Sequence, residues 1–179
     1  GDDEIFSRAQ FLQWFNLDHL GKSAAQFDEA KLRWVNAQHL KAMDDNALAA
    51  LVAPRLQQRG VSADALADGR LARICALFKD RCDTTVALTD WAQVFYADVT
   101  PVEAERAQHV TQAIAPALDA LADALSACEW DKASISAAFK QVLTAQGLKM
   151  PQLAMPTRVL TVGTAHTPSV DAVLELVGR

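Results

Sequence analysis

The strongest constraint on this chain is the spacing of its apolar residues, which recurs at intervals of three and four along most of its length. In "SADALADGRLARICALFKDRCDT", Leu71, Ile74, Cys75 and Phe78 fall on one side of an α-helix. A helix striped in this way is stable only when the stripe packs against another element. Ser7 precedes Gln10 by three residues, a capping-box spacing, and Phe11, Trp14 and Phe15 form the apolar side of the helix it opens. In "FDEAKLRWVNAQHLKAM", Phe27, Leu32, Val35, His39 and Leu40 lie close to helical spacing, with Asp28 and Glu29 at the start and Lys41 near the end. That charge order suits the helix macrodipole.

The remaining segments read the same way. "DDNALAALVAPRLQQRG" predicts a helix bent or interrupted at Pro54 and stopped at Gly60. "LTDWAQVFY" predicts a short helical turn, and "TPVEAERAQHVTQAIAPALDALADALSA" a helix with Thr100 as N-cap and Pro101 at its first position. "EWDKASISAAFKQVLTAQG" ends at Gly147, a C-cap glycine. Near the end, a β-branched run allows a token strand at 159–162, then a turn and a last helix over 168–176. The expected fold class is all-α.

Composition excludes several functions. The chain is 51% hydrophobic and 22% charged, the balance of a soluble globular protein with a real core. It has no apolar run long enough for a membrane span and no charged-then-apolar leader. It opens on Gly1, which reads as the interior of a longer protein. Cys75, Cys82 and Cys128 match no zinc or redox spacing, so reduced thiols of a cytosolic protein are expected. A net charge of −5 argues against a broad nucleic-acid field but leaves room for a local basic site.

The catalytic patterns are weak. Gly21-Lys22-Ser23 resembles the end of a phosphate-binding loop, but Asn16 stands where the first glycine belongs and no strand precedes it. His19, His39, His109 and His166 show no metal-ligand spacing, and Cys82 has no histidine nearby in sequence. Asp44-Asp45 lies at a helix start and Asp2-Asp3-Glu4 at a terminus, so neither reads as an acid/base dyad. Trp14, Trp34, Trp91 and Trp130 read as core residues.

Two arginines stand out. Arg81 lies three residues beyond Phe78 and seven beyond Ile74, at the border of an apolar face. There its stem can lie along the core while the guanidinium projects from the helix end; a plain C-terminal cation facing the macrodipole is the simpler reading. Arg158 precedes the β-branched run, and Thr167-Pro168 reads as N-cap and first residue of the last helix. Free N–H groups at such a helix mouth bind acceptors, unless the turn is simply a cap. Two guanidinium forks and a helix mouth in apolar surroundings suit splayed nucleobases, which makes a reader of single-stranded RNA the reading from residues alone.

Four stretches go further. "GDDEIFS", "FDEAKLRWVNAQHL", "FKDRCDT" and "MPTRVLTVGTAHTPSVDAVLELVGR" resemble, in order, the C-terminal half of bacterial glutamyl-tRNA synthetases, across essentially the whole chain. The specific pieces are Phe-Asp-x-x-Lys-Leu-x-Trp at 27–34 and Met-Pro-x-Arg with Gly-x-x-His-x-Pro at 155–168. The resemblance implies a tail of the stem-contact region at 1–45 and a two-part helical anticodon-binding domain, the first part at 46–93 and the second at 94–179. The His-x-Gly-His and Lys-x-Ser-Lys motifs of the class I catalytic fold are absent, so ATP and Mg belong to a catalytic domain outside this chain, which alone makes no glutamyl-adenylate. The implied partner is the tRNA for glutamate, with no membrane, no DNA, a monomeric state and a cytoplasmic location.

The resemblance also assigns residues. It associates Arg81 with the third anticodon base and Arg158 with the first. It places Thr167 and Pro168 near the second, with Val170 as an apolar neighbour. Family members often carry Ser-Pro-Ser where this chain has Thr167-Pro168-Ser169, which keeps the hydroxyl. Arginine offers only donors. It therefore suits the O2 and N3 acceptors of cytosine, the third base of glutamate anticodons, and opposes the donors of the guanine that ends glutamine anticodons. Rejection of glutamine tRNA is thus expected. The acidic charge and alanine-rich helices leave open a helical protein-interaction domain without RNA contact, and a small hydrolase using Cys82 or His166 is the remote third reading.

Overall fold

The computed structural model describes residues 4–17, 21 and 26–178. Among the described residues every regular element is helical. The chain runs through α1 (Arg8–Trp14), α2 (Glu29–Ala42), α3 (Asp45–Gln58), α4 (Ala63–Leu66), α5 (Arg70–Phe78) and a 3-10 turn (Lys79–Arg81). It continues through α6 (Thr85–Gln93), α7 (Glu103–His109), a second 3-10 turn (Gln112–Ile114), α8 (Ala115–Ala127), α9 (Lys132–Gln146), α10 (Met150–Val162) and α11 (Val170–Val177).

The end signals explain many boundaries. Ser7 and Gln10 form a reciprocal capping box on α1. Asp44 accepts from Asn46 and Ala47 N–H to open α3, and Asp131 from Ala133 and Ser134 N–H to open α9. Gly147 closes α9 in the left-handed region, at φ 63°.

Several expectations needed correction. Pro54 sits inside α3 without ending it, because Leu48, Val52 and Leu56 of that helix are fully buried against α5 and α6. Burial of such side chains at roughly 1.5–3 kcal/mol each outweighs the ~3 kcal/mol cost of an interior proline. The stretch after Ser62 divides at Gly69, whose φ of 76° breaks the helix into α4 and α5. The long helix expected from Thr100 divides into α7, a 3-10 turn and α8; Pro116 cannot donate to a carbonyl in a preceding turn, so it starts a new helix instead. The N-cap of α7 is Val102, so Thr100 and Pro101 lie outside it. The "LTDWAQVFY" turn belongs to a full helix, α6, which Thr84 caps.

The token strand is helix. Residues 159–162 continue α10, with Val159 and Val162 buried. The threonine hydroxyls bond back to helix carbonyls, Thr157 Oγ1 to Leu153 O at 2.8 Å and Thr161 Oγ1 to Thr157 O at 2.9 Å. β-propensity describes a fit to a half-buried pleat, and here the burial is supplied by helices.

Two cores result. The first joins α3, α5 and α6 through Val52, Leu56, Ile74, Phe78 and Leu88, with Trp91 stacked on Phe78 at 5.0 Å. The second joins α8 to α11 through Leu121, Ile135, Phe139 and Leu153. Helix α11 serves both: Val173 and Leu176 enter the first core, Val170 and Leu174 the second. Arg70 Nη1 closes its far end by donating to Leu176 O (2.7 Å) and Val177 O (3.0 Å). The loop before α11 is thereby anchored on a wedge fixed from both sides. By contrast, Trp14 and Trp34 are 48% and 45% exposed rather than core, while Trp91 and Trp130 pack against the first and second cores.

Candidate nucleic-acid interface

Arg81 ends the 3-10 turn that prolongs α5, so it lies just beyond the α-helix rather than within it. Its side chain is exposed and makes no ion pair among the described residues. Its neighbours hold the turn. Lys79 Nζ donates to Met43 O at 3.0 Å and pairs with the Asp45 carboxylate at 2.8 Å. Cys82 is buried, and burial pushes its thiol up to about 11, which removes it as a nucleophile.

Arg158 projects from α10 toward the head of α11. Its Nη2 donates to Pro168 O at 3.0 Å, whereas its Nε is buried without a hydrogen-bond partner. Leaving a buried donor unpaired costs on the order of 1–3 kcal/mol, so this guanidinium is incompletely satisfied by the chain itself. Burial lowers its pKa first, the Arg81 charge lowers it further, and Asp171 partly offsets both. The two arginines therefore share one electrostatic neighbourhood, although they come from different cores.

Arg158 lines a cavity of about 200 Å³ together with Ser136 and Phe139 of α9, Met150, and Ser169, Val170 and Asp171 at the head of α11. Its walls combine donors, a carboxylate and apolar surface. A cleft of about 400 Å³ on the α7 side of α10, between His109, Ile114 and Met155, is larger but contains neither arginine.

The Thr167-Pro168 step takes a different part from the expected cap. Helix α11 begins at Val170 with Ser169 as N-cap, and Thr167 is only 6% exposed. Its hydroxyl donates to Pro168 O at 3.0 Å, so that one carbonyl accepts from both Thr167 and Arg158. The helix mouth carries its own acid: Asp171 accepts from Ala172 N–H at 2.9 Å. Val170 is buried in the second core and forms one cavity wall.

Among the described residues no group of histidines, cysteines and carboxylates could hold a metal ion. Asp44 is occupied as a helix cap, and Glu4 pairs with Lys31 at 2.6 Å. Asp2, Asp3, His19, Lys22 and Ser23 lie outside the described residues. Glu105 and Asp171 entered the site unannounced by motif. Asp171 had a signal, an acid in a first turn, but Glu105 lies 59 residues from the threonine it binds.

Comparison with known proteins places the chain among similar ones. Residues 47–179 match the model of a family described as an anticodon binding domain. The glutamate–tRNA ligase of Verminephrobacter eiseniae is 83% identical over all of this chain, which spans 38% of that relative's length. That of Paracidovorax citrulli is 78% identical over the whole chain, 37% of its own length. A crystal structure of a glutamate tRNA ligase from Elizabethkingia meningosepticum in complex with its amino acid superposes with a TM-score of 0.88 at 24% identity, over 98% of this chain and 35% of that one.

Proposed function

The chain belongs to the anticodon binding domain family, and from that membership we propose that it grips the anticodon arm of the tRNA for glutamate as the C-terminal part of a glutamate–tRNA ligase. The parent enzyme would attach glutamate to that tRNA with ATP and Mg, held in its catalytic domain. This chain alone would recognise without catalysing. Residues 1–45 act as connector and stem-contact tail, and 46–93 and 94–179 as the two anticodon-binding parts of a monomer working in the cytoplasm.

The observation that carries the reading is the Arg158 guanidinium, with a buried Nε lacking any acceptor and a second arginine close enough to disfavour its charge. Two cations in one neighbourhood, with Asp171 offsetting only part of their mutual repulsion, gain from an acceptor-rich ligand. Arg158 takes the first anticodon base at the mouth of the cavity, where Val170 and Phe139 supply apolar surface. Arg81, exposed on its turn, takes the third. A cytosine there accepts from it, whereas guanine sets donor against donor, which makes the enzyme one that rejects glutamine tRNA. Thr167 and Pro168 shape the loop beside the second base. The other half of the parent would carry much of the phosphate contact, which reconciles RNA binding with a net charge of −5.

The test is a titration of the 179-residue chain with glutamate tRNA at several salt concentrations. Salt-dependent binding is expected, and no heat with ATP. Absence of RNA binding even at low ionic strength would overturn this reading and favour a protein-interaction domain.

A further inference from the structure

We propose that Glu105 is a positioning residue for anticodon recognition, fixing the loop at 163–169 so that Pro168 presents its carbonyl to Arg158. The inference rests on the role given above to Arg158. Glu105 comes from α7, which packs against α10. Its carboxylate grips the loop with both oxygens: Oε1 accepts from Thr164 Oγ1 at 3.2 Å and Oε2 from Ala165 N–H at 2.6 Å. Thr164 Oγ1 in turn accepts from His166 N–H at 3.3 Å, so one side chain organises three consecutive loop residues.

Glu105 pairs with no cation among the described residues. A half-buried carboxylate without a counter-charge is favourable only where hydrogen bonds replace its water, and here all of those bonds go to this loop. The stretch of chain before α7 also comes close to the start of the loop. Gly163 has φ 81°, and a Cβ there would meet Val99 Cγ1 at 2.5 Å. The loop is thus closely approached at its start by Val99, held in its middle by Glu105, and ends at the Pro168 carbonyl that orients Arg158. Freeing the middle releases the carbonyl and, with it, the guanidinium.

A double-mutant cycle on the 179-residue chain tests this, with a hairpin RNA bearing the anticodon loop of glutamate tRNA as probe. Glu105→Ala should weaken binding about tenfold, and Glu105→Gln, which keeps an acceptor for Ala165 N–H, should weaken it less. Glu103→Ala, exposed on the same helix, should leave affinity unchanged. In the Arg158→Ala background the Glu105→Ala effect should vanish, because both act through one contact. Wild-type affinity for Glu105→Ala, or effects that simply add, would overturn the proposal while sparing the base-reading role of Arg158. Unchanged binding by Arg158→Ala alone would overturn both. Should Glu105→Ala fail to fold, Glu105→Gln decides: no loss, or a loss that persists without Arg158, counts against the idea.

Discussion

Arg81 and Arg158 offer the same functional group in opposite settings. Arg81 stands exposed on a short 3-10 turn, with its neighbours Lys79 and Cys82 anchored and its own fork unengaged by any ion pair among the described residues. Arg158 is half-buried in mid-helix, oriented by Pro168 O and backed by a loop that Glu105 holds. The difference separates two ways of reading a base. A preorganised arginine has lost its rotamer freedom before the ligand arrives, so its contact adds directly to affinity. An exposed one must be ordered on binding, so it contributes less affinity and acts mainly by opposing the wrong base.

Removing Arg158 should break the comparison most sharply. Arg158→Ala is expected to cost about 1–3 kcal/mol of hairpin binding, about five- to 150-fold in dissociation constant. Equal losses at the two arginines would erase the distinction. Next comes the loop itself. Gly163→Ala should cost roughly 2 kcal/mol of folding stability from left-handed strain plus the collision with Val99. Gly60→Ala, at φ 94° with nothing within 4 Å of its Cβ, should cost only about 1 kcal/mol. Denaturant melts of the two variants isolate the Val99 contact.

Arg81→Gln should have a smaller effect on affinity, about 1 kcal/mol or less, but a larger one on choice. In the full-length ligase, charging of glutamine tRNA relative to glutamate tRNA should rise, and unchanged selectivity would remove the role given to Arg81. The smallest effect is alkaline. Burial raises the thiols of Cys75 to about 12 and Cys82 to about 11, above the ordinary 9.0. Folded thiols thus keep protons that unfolded ones release, so their stabilising contribution is full below pH 9.0 and lost as pH climbs through about 11 and 12. Stability measured across that window should fall, loosening the turn that carries Arg81 rather than the Arg158 loop. A flat profile would show that the two thiols do not support that turn.

Local signals carried much of this protein into view. Ser7 with Gln10, Asp28, Asp44 and Gly147 act at helix ends as their side chains and conformations require, since capping is settled within a single turn of chain. The stripe of Leu71, Ile74, Cys75 and Phe78 is buried as its period demanded. The motifs around Arg81 and Arg158 were legible as well, because side-chain chemistry is written directly in residue type. Prediction failed where distant partners outvote local preference. Pro54 remains helical because α5 and α6 cover its helix, the 159–162 run is helix because two cores share α10, and Trp14 and Trp34 stay exposed although their helical spacing is apolar. Thr167 could not be seen to turn inward, nor Glu105 to reach across to Thr164 and Ala165. Which helices form, and with what chemistry, follows from interactions within a few residues. Which side chains meet depends on the simultaneous burial of faces far apart in sequence, and that is decided only when the two cores close around α11.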